Sequence, residues 1–250
     1  MFHTTAKGRR LAYDLTDGKG PAVVFLHGFR SDRQGTKVVA LREWCAAEGR
    51  AMLALDLSGH GESAGTVEAF GIADWLEDAA DLIDALVPGP HVLVGSSLGG
   101  WLSLLLARAR PERVAGLVTI AAAPDFTERM WAEFTVTDHS DLAAWGFVTR
   151  PSEYEGGDYT FSRRLFDQGA GNQVFAAPLH LPMPVRFLQG TADADVPMAD
   201  ALRLLDHASG PDIRLTLVKD ADHRFSAPPQ LDLLRATLAE ILDAAGRADA

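Results

Sequence analysis

The feature that most constrains this chain is a repeated alternation. Short apolar runs take turns with segments whose apolar residues recur every three to four positions. Ala22–His27 (AVVFLH), Met52–Asp56 (MLALD), His91–Val94 (HVLV), Val114–Ile120 (VAGLVTI), Val185–Gln189 (VRFLQ) and Ile213–Val218 (IRLTLV) are the runs. Most are nearly continuous in apolar residues, the pattern of parallel strands covered on both faces. Leu11–Leu15 adds an edge strand at the start. Between the runs, Trp75, Leu76, Ala79, Leu82, Ile83 and Leu86 share one helical face, with Glu77, Asp78, Asp81 and Asp84 off it. Leu231, Leu234, Leu238, Ile241 and Leu242 repeat the pattern near the end. Strand and helix in alternation predict an α/β fold: a doubly wound, mostly parallel sheet with right-handed crossovers. At 250 residues this is one domain overall.

The alternation lapses once. Between Pro124 and Pro184 no convincing strand appears, yet the segment holds Phe126, Trp131, Phe134, Trp145, Phe147, Tyr154, Tyr159, Phe161, Phe166 and Phe175. Helical patches are expected near Thr127–Phe134, Leu142–Phe147 and Thr160–Asp167, punctuated by Gly156-Gly157 and Gly169–Gly171. A long insertion in a compact domain is usually functional. The reading is a core of residues 1–123 and 184–250 with a helical cap, 124–183, inserted between the sixth and seventh core strands. The cap's aromatics build a small core of their own and also offer substrate contacts, with Trp131, Trp145 and Phe147 as the candidates.

Chemistry enters at Val92–Trp101, VLVGSSLGGW. A strand that runs into Gly-x-Ser-x-Gly and then a helix forms a nucleophile elbow. The glycines are steric requirements of a very tight turn. Gly95 and Gly99 bracket Ser97, so Ser97 is the nucleophile and Ser96 a small residue supporting the turn. The positive end of the following helix favours negative charge beside it.

A serine hydroxyl needs a base. Partners of such a serine follow it in the chain, acid first and histidine second. His223, in DADHRFS after the last strand, fits best; His207 ends a helix and serves as its C-terminal cap. The acid must orient the imidazole. Asp193, in GTADADVP beyond strand Val185–Gln189, is favoured over Asp195 in the same loop and over Asp125. For the oxyanion, the backbone N–H groups of Leu98 and Phe29 are the expected donors. His27, Asp56 and His60 shape their loops.

LHGF, DLSGHGES, GSSLGG, GTADADVP and DADHRFS occur in an order and spacing that resemble the α/β-hydrolase superfamily, from about Val23 onward. Within it, HGFRSDRQGTK, EWC, LVGSSLGGWLSLLLA, RPERVAGLVTIAAAPDFTE and DHRFS most resemble the family of animal mitochondrial acyl-protein thioesterases that also cleave acyl glucuronides, with its bacterial relatives. The resemblance implies the α/β-hydrolase fold, a triad of Ser97, Asp193 and His223, and hydrolysis of an ester or thioester. It leaves the physiological acyl group open. Cleavage of a carbon–carbon bond by the same triad is the alternative reaction. A non-catalytic small-molecule binder on the same fold is the alternative class. Halide removal is disfavoured, since it uses an aspartate at the elbow.

The formal charge of −11 argues against nucleic acid and anionic membranes as partners. Cys45 is the one cysteine, so no internal disulfide can form; it reads as a packed helix residue. No apolar run fits a signal peptide or membrane span, and the chain enters a strand-like segment almost at once, which predicts a cytoplasmic location without a mitochondrial presequence. The chemistry calls for no metal and no organic cofactor. Oligomeric state is not legible.

Overall fold

The computed structural model describes residues 1–151 and 157–248. Tyr154 and Gly156, singled out above, lie outside the described residues. The strands are β1 (Phe2–Thr4), β2 (Arg10–Thr16), β3 (Lys19–Leu26), β4 (Arg50–Leu55), β5 (His91–Ser96), β6 (Val114–Ile120), β7 (Phe147–Arg150), β8 (Tyr159–Ser162), β9 (Leu179–His180), β10 (Val185–Gly190), β11 (Ala208–Ser209) and β12 (Ile213–Val218). The α-helices are α1 (Thr36–Ala47), α2 (Ile72–Leu86), α3 (Leu98–Ala109), α4 (Phe126–Glu133), α5 (Val136–Trp145), α6 (Arg163–Ala170), α7 (Met198–His207) and α8 (Pro228–Ala248).

Eight strands form the main sheet in the order β1-β2-β4-β3-β5-β6-β10-β12. From β4 to β12 every neighbouring pair is parallel; β1–β2 and β2–β4 are antiparallel. The inner strands β5, β6 and β10, and the C-terminal halves of β3 and β4, are buried on both faces, which explains their continuous apolar runs, whereas β12 at the edge is half-buried. Along β3 the side chains alternate: Val23 and Phe25 join one core with Val38 and Leu41 of α1 and Leu238 of α8, while Val24 and Leu26 join the other with Trp75 of α2 and Leu102 of α3. Cys45 is buried in the first of these cores, and burial pushes its thiol up to about 11.

Two expectations need correction. Leu11–Leu15 is not the edge: β2 lies between β1 and β4, and β1 takes the outer place. A three-residue strand is too short to show a period. It is held by its register with β2, by the N-terminal ammonium donating to Tyr13 O at 2.7 Å, and by Arg10 over the Phe2 ring at 3.3 Å. The segment 124–183 is also not wholly helical. Its two-stranded ribbon, β7 with β8, pairs antiparallel from Phe147↔Ser162 to Arg150↔Tyr159. The patch expected at Leu142–Phe147 stops at Trp145 because Gly146 closes α5 in the left-handed region, φ 80°. The patch expected from Thr160 starts only at Arg163, where Ser162 caps α6 by accepting the Leu165 N–H.

Parallel strands all end on the same side of the sheet. The chain order reverses at β3, which has β4 on one side and β5 on the other, and ligand sites in open α/β sheets form outside such a switch point. The loops that leave β3, β5, β10 and β12 carry Phe29, Ser97, Asp193 and His223 respectively.

Candidate active site

The turn from β5 into α3 is as tight as its sequence demands. Ser97 sits at φ 53°, ψ −115°, a backbone conformation unfavourable for any side chain. It is held there by surroundings: its N–H donates to Ile120 O on β6, and its carbonyl accepts from the Gly100 and Ala123 amides. A Cβ at Gly99 would overlap Leu26 O, and one at Gly95 would overlap Gly99 O and Ser103 Oγ. Substitution at either position would push α3 off the sheet and release the turn.

The structure brings three distant residues together. His223 Nε2 lies 3.1 Å from Ser97 Oγ, and His223 Nδ1 lies 2.9 Å from Asp193 Oδ2. An ionised carboxylate only accepts, so Nδ1 carries the proton and donates, leaving Nε2 to accept from the Ser97 hydroxyl. Asp193 is fully used. Oδ2 also accepts from Gln189 Nε2 at 3.0 Å, and Oδ1 accepts from the Asp195 and Val196 amides at 3.0 and 2.8 Å. Burial opposes ionisation of this carboxyl, but the His223 and backbone donors outweigh it and hold it below the ordinary aspartate range.

The other acids have different work. Asp195 is exposed; its amide orients Asp193 and its carbonyl accepts from Arg129. Asp125 accepts from the Val174 and Phe175 amides at 2.7 and 2.9 Å, tying α4 to the strap before β9. Asp193, Asp195 and His223 form the one acidic-and-histidine group among the described residues with ligand atoms inside 4.8 Å. Their closeness is that of the Asp193–His223 hydrogen bond.

Phe29 and Leu98 both border the cavity over Ser97. Among the described residues, neither backbone N–H has a protein acceptor. His27 fixes the turn beneath Phe29: Nδ1 donates to Gly28 O at 2.8 Å and Nε2 accepts from the Leu57 amide at 3.1 Å. His60 packs on His27 with ring centroids 4.9 Å apart. Burial keeps both neutral, with His60 pushed down to about 3. Asp56 accepts from the Glu62 amide within its own loop, as expected, and also from the Arg33 backbone and side chain, which ties it to the loop after β3.

The cavity holds about 430 Å³ and is bordered by Phe25, Phe126, Met130, Tyr159, Phe161 and Val196 among its apolar and aromatic residues. Trp131, Trp145 and Phe147 are not on its wall. Trp145 is 71% exposed, and Trp131 packs against His139 and Phe166 instead. The cavity wall over Ser97 is built from other residues of the segment. Aromatic type alone does not say which way a helix face turns. Phe126 and Met130, one helical turn apart at the start of α4 just beyond β6, do face the cavity; that i, i+4 spacing next to a strand end was the usable signal. Phe161 stacks on Phe29, 5.4 Å between centroids. Gln189 carried no sequence signal, and Lys37 stood in the HGFRSDRQGTK segment without a role assigned to it.

A family pattern described as Alpha/beta hydrolase family matches residues 23–240. The chain belongs to the α/β-hydrolase family. It is 34% identical over 234 residues to the rat protein named palmitoyl-protein thioesterase ABHD10, mitochondrial, covering 93% of this chain and 79% of that one. The human protein of that name matches at 34%, with 76% of it covered. Among solved structures, a chain from Agrobacterium vitis S4 superposes with TM-score 0.93 at 35% identity, covering 97% and 98% of the two chains. Mouse alpha/beta hydrolase domain-containing protein 10 gives 0.90 at 33%, covering 97% of this chain and 98% of that one. The rat and human relatives are named as mitochondrial, whereas the sequence reading expects a cytoplasmic location. No helix among the described residues is long and apolar enough to cross a membrane.

Proposed function

We propose that this hydrolase cleaves carboxylic esters or thioesters of apolar acyl groups through an acyl-enzyme on Ser97. The observation that carries the reading is one imidazole, His223, in hydrogen-bond reach of a strained serine on one side and a buried carboxylate on the other. In the first step Ser97 Oγ attacks the acyl carbon while His223 Nε2 takes its proton. The carbonyl oxygen becomes an oxyanion and accepts from the Phe29 and Leu98 amides, two donors with no other partner. Collapse breaks the bond to the leaving alkoxide or thiolate, which receives the proton from His223. Water then attacks the acyl-enzyme, loses a proton to His223, and the acid leaves as Ser97 is regenerated. Asp193 remains ionised throughout and stabilises the imidazolium.

The acyl group would lie against Phe126, Met130 and Phe161, contributed by a cap of residues 124–183 over the sheet. The name borne by the rat and human relatives, palmitoyl-protein thioesterase, supports thioesters among the substrates. Labelling with a fluorophosphonate probe tests the chemistry directly. An adduct on Ser97 that is absent in Ser97→Ala, together with loss of p-nitrophenyl ester turnover in that variant, is the expected result. Turnover retained by Ser97→Ala refutes it. A panel of p-nitrophenyl esters and acyl thioesters of graded length then reads out the acyl preference.

A further inference from the structure

We infer that Lys37 is a positioning residue for His223, and that its hydrogen bond across the active-site cavity sets how productively the imidazole meets Ser97. The inference rests on the serine-hydrolase reading above. Lys37 is the second residue of α1. Its Nζ donates to the carbonyl oxygen of Arg224, 187 residues further along the chain. Arg224 directly follows His223, so this bond joins α1 to the loop between β12 and α8 at the residue next to the imidazole.

The rest of that loop is held from the other direction. On the upstream side, the Asp220 amide donates to Thr191 Oγ1 at 2.9 Å and the Ala192 amide to Ala221 O at 3.0 Å, both from the Asp193 loop. Downstream, Phe225 is fully buried at φ 49°, a strained conformation for a residue with a side chain. The peptide between these two anchors carries the imidazole, and the Arg224 carbonyl accepts from Lys37 Nζ and, within the loop, from Ser226 Oγ at 2.7 Å, so Lys37 supplies the bond that reaches outside the loop. A catalytic geometry needs its side chains held to within about 0.5 Å. A long-range bond at the adjacent residue is a direct way to supply that restraint.

Lys37 also borders the same cavity as Ser97. Among the described residues no carboxylate forms an ion pair with it, and the Arg224 carbonyl is its hydrogen-bond partner. The charged groups that face it are Asp222 and Arg224 on the histidine loop and Asp193 beyond them. Burial, opposed by Asp222 and Asp193, brings the ammonium down to about 8. The bond is therefore charge-assisted at neutral pH and weakens as the ammonium loses its proton, whereas an arginine would keep its charge.

The test compares Lys37→Met and Lys37→Arg with the unsubstituted 250-residue chain, using p-nitrophenyl ester kinetics from pH 6 to 10. In Lys37→Met, kcat should fall about tenfold at pH 7.5 with KM within about twofold, the pattern of a lost positioning interaction. Lys37→Arg should recover at least half of the activity. The natural chain should lose kcat above about pH 8, and Lys37→Arg should not. The inference is overturned if Lys37→Met keeps its kcat, if KM rises while kcat holds, or if the natural chain and Lys37→Arg share the same alkaline limb. The last comparison needs only folded, active proteins and stands if Lys37→Met fails to fold. Fluorophosphonate labelling of the natural chain separates the two levels. No adduct on Ser97 sinks the hydrolase reading; an adduct with unaffected Lys37 variants sinks only the role of Lys37.

Discussion

Gly28 lies directly against Ser97: a Cβ placed on Gly28 would come within 3.3 Å of Ser97 Cβ and 3.5 Å of Ser96 O. The loop after β3 and the elbow after β5 are thus in backbone contact, and the Phe29 amide is carried on the contact. β3 and β5 are neighbours in the sheet, paired from Ala22↔His91 to Leu26↔Gly95, so the register of two strands decides where the loop carrying the Phe29 N–H sits relative to Ser97.

Gly28→Ala should slow the reaction without unfolding the chain. The added methyl fits only if Ser97 or the loop gives by a few tenths of an ångström, and misplacement at this scale is costly in a preorganised site. A fall in kcat of about tenfold or more is expected, with little change in Tm. Steady-state kinetics and thermal melts check both halves; an unchanged kcat would mean the loop does not serve the oxyanion.

Asp193→Asn should preserve the fold and nearly silence the site. The amide nitrogen would face His223 Nδ1 or leave it, favouring the wrong tautomer and withdrawing the charge that stabilises the imidazolium. A loss in kcat of about 10³–10⁴-fold is the scale for such a change. Circular dichroism of the variant should match the natural chain. A loss of less than tenfold would reassign the acid, with Asp195 the next to test.

Acid should destabilise the protein in a particular window. Burial holds His91 down to about 4 and, with His27 beside it, His60 down to about 3, so both are neutral in the folded chain. In the unfolded chain they titrate near 6.5. Between those values the unfolded state binds more protons, so stability is full above 6.5 and is lost as pH falls through the window. The slope is about 1.4 kcal/mol per pH unit for each such histidine. Tm measured from pH 7.5 to 4.5 should drop, and less steeply in His91→Leu. An identical slope in that variant would contradict the assignment.

Asp125→Ala should cost stability. It strips the acceptors from the Val174 and Phe175 amides, one of them buried, and leaves a residue at φ 57° that tolerates the left-handed region less well. The scale is about 3 kcal/mol, or roughly 6–12 °C in Tm for a chain of this size. Asp125→Asn keeps one acceptor and should lose less. Differential scanning calorimetry on the pair distinguishes lost hydrogen bonds from a general surface effect.

By itself the sequence determined what depends on neighbours along the chain. Apolar runs marked β3, β4, β5, β6, β10 and β12, because a strand's burial, on both faces for the inner ones and partial for β12, is written in consecutive residues. The glycines of GSSLGG selected Ser97 over Ser96, because the steric demand of the turn is written within five residues. The order of the motifs favoured His223 and Asp193. It could not exclude Asp195, since both carboxylates occupy one loop and only the fold decides which one meets Nδ1. Nor could it orient the segment after β6: the reading singled out Trp131, Trp145 and Phe147 among its aromatics, and only the ribbon β7–β8 and the start of α4 turned Phe126, Met130 and Phe161 to the cavity. The meeting of His223 with Asp193 spans 30 residues, with Ser97 126, and that of Lys37 with Arg224 spans 187. Contacts across such separations are set by strand order and register, and those follow from the packing of the whole sheet between its two layers of helices.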